Sequence, residues 1–307
     1  MNMRKTSLLF IVLVCLVCFM ASCHSKSSKA HRTKIEKMRL DSIDSASFKV
    51  GVMPTLDCLP VFIAKEERLF DTLGVDVHLR RYTAQMDCDT ALEKGRVMGT
   101  ITDLIRAAYM KKKGVALTFP ISTNTYWQLI SNKKARISEP KQLSDKMIAI
   151  TRNSATDYLA NLVIDSVKPK YDVYKVQIND VTIRLRMLLN NEMDAMLLTE
   201  PQATKARSEG HVVLMDSRKK NLHLGVFAFR QKGLRQPNRG EQMKKFIKAY
   251  NMAVDSINKN GVQPYASIIQ KYCYADAKTI KNLPRLTFSK AEAPRQHDVN
   301  IAASLVK

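Results

Sequence analysis

The sequence lacks the motifs that mark most enzymes. It contains no G-x-S-x-G, H-E-x-x-H or G-x-G-x-x-G pattern and no P-loop, which excludes the common hydrolase, zinc-protease and nucleotide-binding motifs. The six histidines are scattered, and no two cysteines beyond residue 47 have the C-x-x-C spacing of a zinc or redox site. We therefore expect a protein that is not an enzyme, with no catalytic residues, no metal and no cofactor.

Apolar runs long enough to span a bilayer, which needs about 20 residues, are also absent. Residues 8–20 form an apolar run of 13 residues behind Arg4 and Lys5, which predicts a signal peptide. Residues 19–23 resemble the bacterial lipoprotein box, so we predict a lipoprotein signal peptide over residues 1–22, lipid on Cys23 and a polar tether over residues 23–47. The alternative is plain secretion, with Cys23 lost or idle.

Acidic residues are scarce, since 28 Asp and Glu face 50 Lys and Arg and give a formal net charge of +22. The predicted export argues against nucleic acid as a partner. Two interpretations of the charge stay open: attraction to anionic head groups or an anionic solute, and a merely solvated basic surface.

Three cysteines remain beyond the predicted tether, namely Cys58, Cys88 and Cys273. An odd number leaves at least one thiol unpaired in an oxidising compartment. Both a Cys58–Cys88 disulfide and free buried thiols are compatible with the sequence.

Strand and helix patterns alternate along most of the chain, which predicts an α/β protein with a largely parallel sheet. Strands are predicted over residues 48–53, 74–82, 98–101 and 115–121, with helices over 59–70, 87–94 and 104–113. A second alternation places strands over 146–150, 173–178, 194–198 and 211–215, with helices over 157–167, 181–189 and 202–208. A strand over 222–230 and a helix over 241–258 complete the pattern, which indicates two similar lobes.

Polar residues follow many of the predicted strands. Ligands in parallel sheets bind beyond the carboxyl ends of the strands, so these residues are candidates for a binding site. They are Thr55, Asp57, Gln85, Thr102, Asp103, Ser122, Thr123, Asn124, Arg152, Ser154, Ala155, Thr156, Glu200 and His223. For each turn, helix capping is an equally good interpretation, and Asp180 is assigned to capping alone.

Two groups of candidates favour different ligands. Ser154, Ala155 and Thr156 open a predicted helix whose free N–H groups favour a carboxylate, sulfonate or phosphate, and Arg152 adds charge. An ordinary Ser or Thr cap is the alternative. Asp57 and Glu200 instead favour an amine or aminopyrimidine, because a charged acceptor orients N–H donors strongly. His223 offers a neutral donor and acceptor, or is simply packed.

Several segments together resemble the solute-binding proteins of bacterial ABC transporters, in the alkanesulfonate, nitrate, taurine and thiamine-pyrimidine group. These are residues 51–54, 59–66, 74–77, 191–195 and 200–201, and the resemblance extends over residues 48–230. It implies a two-lobed periplasmic-binding-protein fold (type II) with two crossovers, near residues 127–131 and 221–227, and a helical C-terminal segment. Residues 48–128 with 224–307 would form lobe 1 and residues 129–223 lobe 2.

The resemblance implies a lipid-anchored receptor at the periplasmic face of a bacterial membrane. It would be a monomer that binds a sulfonate, taurine, nitrate or thiamine-pyrimidine-like solute between its lobes and delivers it to an ABC permease. Met98 departs from the family's usual Asp, and Cys58 and Cys88 do not reproduce the cysteine-rich motif of yeast pyrimidine-synthase relatives. A pyrimidine-processing or accessory enzyme on the same fold, or a sensing module for a membrane receptor, is the alternative.

Overall fold

The computed structural model of the chain describes residues 36, 38, 44 and 46–306. The predicted signal peptide over residues 1–22 and Cys23 lie outside the described residues, as does most of the predicted tether over residues 23–47. In the described part of the chain, no helix is both long and apolar enough to cross a membrane. Every feature below belongs to the compact unit Phe48–Lys307.

Strands and short helices alternate through the first two thirds of this unit, and helices fill the last third. The strands are β1 (Phe48–Val52), β2 (Val77–Arg81), β3 (Gly99–Asp103), β4 (Leu117–Ser122), β5 (Gln128–Ser131), β6 (Met147–Ile150), β7 (Tyr174–Gln177), β8 (Ala195–Leu198), β9 (Val212–Asp216) and β10 (Gly225–Arg230). The helices are α1 (Leu59–Glu66), α2 (Leu69–Thr72), α3 (Gln85–Glu93), α4 (Leu104–Lys112), α5 (Ala155–Val167), α6 (Val181–Leu189), α7 (Gln202–Ser208), α8 (Gln231–Leu234), α9 (Arg239–Asn260), α10 (Ala266–Cys273), α11 (Ala277–Lys281) and α12 (Gln296–Ser304).

The strands form two mixed sheets of the same design. Lobe 1 is the sheet β2-β1-β3-β10-β4 with its helices, in which β10 alone runs antiparallel to its neighbours. Lobe 2 is the sheet β7-β6-β8-β5-β9, in which β5 runs antiparallel to β8 and β9. The chain crosses between the sheets over residues 123–127 and returns over residues 217–224. This topology confirms the predicted α/β class, the two crossovers and the helical C-terminal segment.

The long C-terminal helix α9 completes the core of lobe 1. Its buried residues recur every three or four positions and so lie on one face of the helix. Among them, Phe246 stacks on Phe70 with ring centroids 5.4 Å apart, and Tyr250 is 2% exposed. A second buried cluster contains Leu104 of α4 in lobe 1 together with Ile148 of β6 in lobe 2, so one apolar core extends through both lobes.

Local signals set most helix boundaries. The bounds of α6 and α7 match the prediction, and the carboxylate of Asp180 accepts from the backbone N–H groups of Thr182 and Ile183 as a cap. The helix predicted over residues 59–70 was wrong as one continuous helix, although its first eight residues are helical. It ends at Glu66 because Arg68 adopts the left-handed conformation at φ 57°, and no glycine or proline in the sequence marks that break.

Cys58, Cys88 and Cys273 are free and buried. Of the two interpretations that the sequence left open, the structure therefore shows free thiols. Burial is the largest cause that raises the pKa of each thiol. A thiol that stays protonated is a poor nucleophile, so these cysteines are packing residues.

Candidate ligand-binding cleft

A cleft lies between the two lobes and encloses about 520 Å³ of empty space, part of which is open solvent. Both sheets contribute strand ends to it, as expected for ligand sites in α/β proteins. Its lobe 1 side is lined by Met53, Thr55, Asp57, Gln85, Ile101, Thr102 and Asp103, its lobe 2 side by Thr151, Ser154, Thr156, Asn179, Val181, Arg184 and Thr199, and the crossover by Thr125 and Trp127.

Asp57 is held by two threonine hydroxyl groups. Thr55 donates to one carboxylate oxygen at 2.5 Å, and Thr125 of the crossover donates to the other at 2.6 Å. Burial raises the pKa of Asp57, and the hydrogen bonds from Thr125 and Thr55 oppose that rise. Among the described residues no salt bridge neutralises this carboxylate, so a cationic or N–H-bearing ligand group would meet a strong acceptor.

Asp103 lies at the end of β3, between the N-termini of two helices. Its carboxylate accepts from the backbone N–H groups of Ile105 and Arg106, both at 3.0 Å, and thereby caps α4. Burial raises its pKa to about 6, whereas hydrogen bonds from Arg106 and from the Ala155 backbone in lobe 2 lower it. The Asp103 carboxylate thus lies near the N-terminus of α5, where the sequence predicted an anionic ligand group.

Gln85 and Thr102 are oriented by a buried ion pair behind the cleft. Asp89 pairs with Arg106 and accepts from the Thr102 hydroxyl at 2.9 Å and from Gln85 Nε2 at 3.2 Å. Gln85 Nε2 also donates to the Ile101 carbonyl at 2.9 Å. These bonds occupy the amide nitrogen, so the oxygen of Gln85 is the end left to a ligand.

Arg184 of α6 is the cationic side chain of the lobe 2 face, and it is 3% exposed. Its guanidinium donates to the carbonyls of Ile178 and Leu197 and to the hydroxyl of Thr151. Burial lowers its pKa to about 10, and the charge of Asp180 opposes that change. No described carboxylate lies within salt-bridge distance of Arg184, so its charge is hydrogen-bonded but not neutralised.

Hydroxyl groups connect Arg184 to the start of α5. Thr151, which accepts from Arg184, donates its backbone N–H to Thr156 Oγ1 at 2.9 Å. Ser154 lies 2.8 Å from Thr156 Oγ1 and caps the helix by accepting from the Thr156 backbone. This arrangement places a cation and three hydroxyl groups on one wall of the cleft.

The lobes touch beside the cleft. Thr83 of lobe 1 donates to Asp180 of lobe 2 at 2.5 Å, and the Val181 backbone donates to the Thr83 carbonyl at 3.0 Å. On another side, the Leu56 backbone donates to the Glu200 carbonyl at 2.9 Å. The structure is therefore that of a closed pair of lobes.

Several predicted site residues lie elsewhere. Glu200 is 2% exposed and accepts from Tyr126, Thr204 and Arg207, so its carboxylate is already saturated. With Thr123 and Asn124 it borders an adjoining cavity of about 380 Å³, whose lining has Asp57, Thr125 and Thr199 in common with the cleft. Of the remaining candidates, Ser122 and Ala155 are buried, while Arg152 and His223 are exposed, and none of these four lines the cleft.

Nine residues that line the cleft were not among the predicted site residues. They are Met53, Ile101, Thr125, Trp127, Thr151, Asn179, Val181, Arg184 and Thr199. The sequence contains a signal that could have identified Arg184 as a site residue. This arginine falls three residues after Val181 and four before Leu188, on the apolar stripe of a helix where a charged residue is out of place. Arg184 lies inside a helix, so the search for polar residues at strand ends did not find it.

Known structures share this architecture. The ligand-binding component of an ABC-type import system from Staphylococcus aureus, solved with zinc bound, superposes with a TM-score of 0.71 at 14% identity over 85% of this chain and 90% of that one. The alkanesulfonate-binding protein SsuA from Xanthomonas axonopodis pv. citri, bound to MOPS, gives a TM-score of 0.69 at 14% identity over the same shares. The desulfurization enzyme DszB gives 0.58 at 13% identity, over 84% of this chain and 90% of that one.

These likenesses show the fold, which is that of the periplasmic binding proteins. No curated protein sequence matches the chain significantly. A family model does match it, over residues 55–262, and that span holds all five strands of lobe 2, four of the five strands of lobe 1 and every residue that lines the cleft except Met53. The chain belongs to the NMT1/THI5-like family.

Proposed function

We propose that this protein is the extracytoplasmic solute-binding component of an ABC import system and holds a small polar organic molecule in the interlobe cleft. The observation that carries the proposal is the pairing of unneutralised charges across one cavity, with Asp57 and Asp103 on lobe 1 and Arg184 on lobe 2. Family and fold support the same role.

The charges also favour one kind of solute. A molecule with an ammonium or amino group would satisfy the carboxylates, and an acidic or acceptor group at its other end would satisfy Arg184. Taurine and aminopyrimidines fit this description better than nitrate, which has no donor for Asp57. Trp127 at the crossover adds an aromatic surface on which a ring can stack.

Such a solute would hold the lobes together. A ligand shifts an open–closed equilibrium only by binding the closed state more tightly, and contacts to Asp57 and Arg184 at once exist only in that state. Lipid on Cys23 would keep the protein, as a monomer, at the periplasmic face of the membrane within reach of its permease.

An enzyme on the same fold is the second candidate. Asp103 favours it, because a cleft carboxyl with a pKa of about 6 suits general acid–base chemistry near neutral pH. DszB carries an enzymatic activity on this fold. Conversion of a bound molecule into a released product would support this candidate, whereas unchanged recovery of the molecule supports the receptor.

Thermal unfolding with a panel of solutes tests the proposal. The chain without residues 1–22 and with Cys23→Ser is unfolded and refolded to remove carried-over ligand, then melted with taurine, alkanesulfonates, nitrate, thiamine, aminopyrimidines and amino acids. A solute at 100 times its Kd adds about 2.7 kcal/mol to the unfolding free energy, which raises Tm by roughly 5–10 °C.

Asp57→Asn is the variant that removes a charge from the cleft. Its matched control is Glu67→Gln, which removes the charge of an exposed carboxylate. An amino-bearing solute should lose about 10- to 100-fold in affinity with Asp57→Asn, because a charge-assisted hydrogen bond becomes a neutral one. The control should keep full affinity. A well-folded protein that responds to no solute in the panel would contradict the proposal.

A further inference from the structure

A second cavity opens where the helices of lobe 2 meet the C-terminal segment of lobe 1. It holds about 530 Å³ of empty space, part of which is open solvent, and shares none of the residues that line the cleft. Helices α6 and α7 form one wall, and residues 273–279 between and within α10 and α11 form the other. The cavity therefore exists only while these two parts of the molecule are in contact.

Apolar side chains form much of its lining. Leu185 and Leu189 lie one helical turn apart on α6, and Pro201 on the same wall and Ala275 on the facing wall are buried. The two leucines are half-buried, so they retain apolar surface that another molecule can cover. Covering such surface is favourable in proportion to the area removed from water.

Two residues that line the cavity have a buried polar atom without a hydrogen-bond partner among the described residues, Gln202 Oε1 and Thr279 Oγ1. The Thr279 hydroxyl can donate or accept, whereas Gln202 Oε1 can only accept. Gln202 is 4% exposed, and its Nε2 donates to the Pro54 carbonyl of lobe 1 at 2.7 Å, which fixes the orientation of the amide. Its Oε1 then has no hydrogen-bond partner among the described residues. A buried acceptor without a donor is costly, and an N–H or O–H group brought into the cavity would remove that cost.

The charges at the cavity are already paired. Lys205 Nζ lies 2.9 Å from Asp276 Oδ2 across the two walls and 3.0 Å from Glu209 Oε1. The hydrogen bond to Asp276 is the largest cause that raises the pKa of Lys205, so the lysine stays charged within this group. An ion entering the cavity would compete with these pairs, which leaves a neutral molecule as the better occupant.

We propose that this cavity is a second ligand site, which binds a small neutral amphipathic molecule with an apolar ring and one N–H or O–H group that donates to Gln202 Oε1. The occupant would contact both walls and so favour the contact between the lobes. The inference does not depend on the proposed solute-binding role, because no residue of the cleft takes part in it.

Indole and benzofuran are matched probes of this site. The two bicyclic rings have nearly the same shape, but only indole carries an N–H donor. We expect saturable indole binding by titration calorimetry, and benzofuran binding about five- to tenfold more weakly, the usual value of one hydrogen bond. Gln202→Leu should remove that preference and bring the two probes to equal affinity.

Leu189→Trp fills the cavity and should abolish indole binding. Ile183→Trp places the same ring on the exposed face of the same helix, outside the cavity, and should leave it unchanged. Thermal unfolding of each variant reports whether it is folded, and Leu189→Phe replaces Leu189→Trp if the larger ring prevents folding.

Three results would overturn the inference. They are the absence of saturable indole binding to the unmodified chain, full binding by a folded Leu189→Trp or Leu189→Phe variant, and an unchanged preference for indole in Gln202→Leu. Loss of solute binding in the cleft with retained indole binding would instead count against the proposed function alone, so the two proposals fail separately.

Discussion

The two faces of the cleft differ in the sign of the charge they leave unneutralised. Lobe 1 presents Asp57 and Asp103, and lobe 2 presents Arg184, and none of them has a salt-bridge partner among the described residues. Nearby buried charges are paired within the protein, as Glu200 is with Arg207. A buried charge is costly unless an opposite charge or hydrogen bonds compensate it. A buried charge that is paired within the protein therefore has a structural role, whereas an unpaired charge in the cleft is available to a ligand.

Arg184→Met removes the charge of the lobe 2 face and should have the largest effect. It leaves the carbonyls of Ile178 and Leu197 and the Thr151 hydroxyl without their donor, so the unfolding free energy should fall by roughly 3 kcal/mol or more. Solute binding should be lost. Denaturant unfolding and calorimetry at 25 °C measure both.

Arg186→Met is the matched control on the same helix, since Arg186 is exposed. It should change neither quantity appreciably. Equal losses in the two variants would mean that Arg184 matters only as part of the helix, and the contrast between the cleft faces would have no functional meaning.

Asp103→Asn removes a charge from the lobe 1 face and should change the pH dependence of stability. Burial raises the pKa of Asp103 from 3.8 to about 6, so between these values the folded protein binds more protons than the unfolded chain. Stability must then fall as pH rises through this window, by about 3 kcal/mol. Asparagine is also a good helix cap but does not titrate, so the unfolding free energy of the variant should not fall through this pH window.

Denaturant unfolding at several pH values between 4 and 7.5 measures the difference between the two proteins. It should be small at pH 4 and should favour the variant by about 3 kcal/mol at pH 7.5. Asp172→Asn, an exposed carboxyl, should run parallel to the unmodified protein. A constant difference between Asp103→Asn and the parent would show that Asp103 does not titrate in this window.

Glu200→Gln tests whether a paired carboxylate differs from an unpaired one. The change weakens the bonds from Arg207, Tyr126 and Thr204, so stability should fall by about 2 kcal/mol. Solute affinity should stay the same because the Glu200 carboxylate does not line the cleft. A loss of solute affinity as large as that of Asp57→Asn would show that Glu200 belongs to the binding site.

The sequence predicted the framework better than the site. Strand and helix periodicity, with Asp180 as a cap, located α6 and α7 to the residue. It did not separate Asp57 from Glu200, since both follow strands and only the folded chain brings Arg207 to one of them and not to the other. Asp103 was equally ambiguous, because its contact with the start of α5 joins segments some 50 positions apart.

Thr83→Val removes a single hydrogen bond between the lobes and should have the smallest effect. The hydroxyl of Thr83 donates to Asp180, whose carboxylate keeps its bonds to Thr182 and Ile183, and the backbone bond from Val181 to Thr83 is untouched. The loss should therefore be about 1 kcal/mol in denaturant unfolding, and Thr83→Ser, which retains the hydroxyl, should show almost none. A cost equal to that of Arg184→Met would mean that ordinary contacts hold the lobes together as strongly as the buried charge does. The proposed order of effects requires the reverse, because a single hydrogen bond between the lobes contributes little, whereas Arg184 is a buried charge that a solute in the cleft would neutralise.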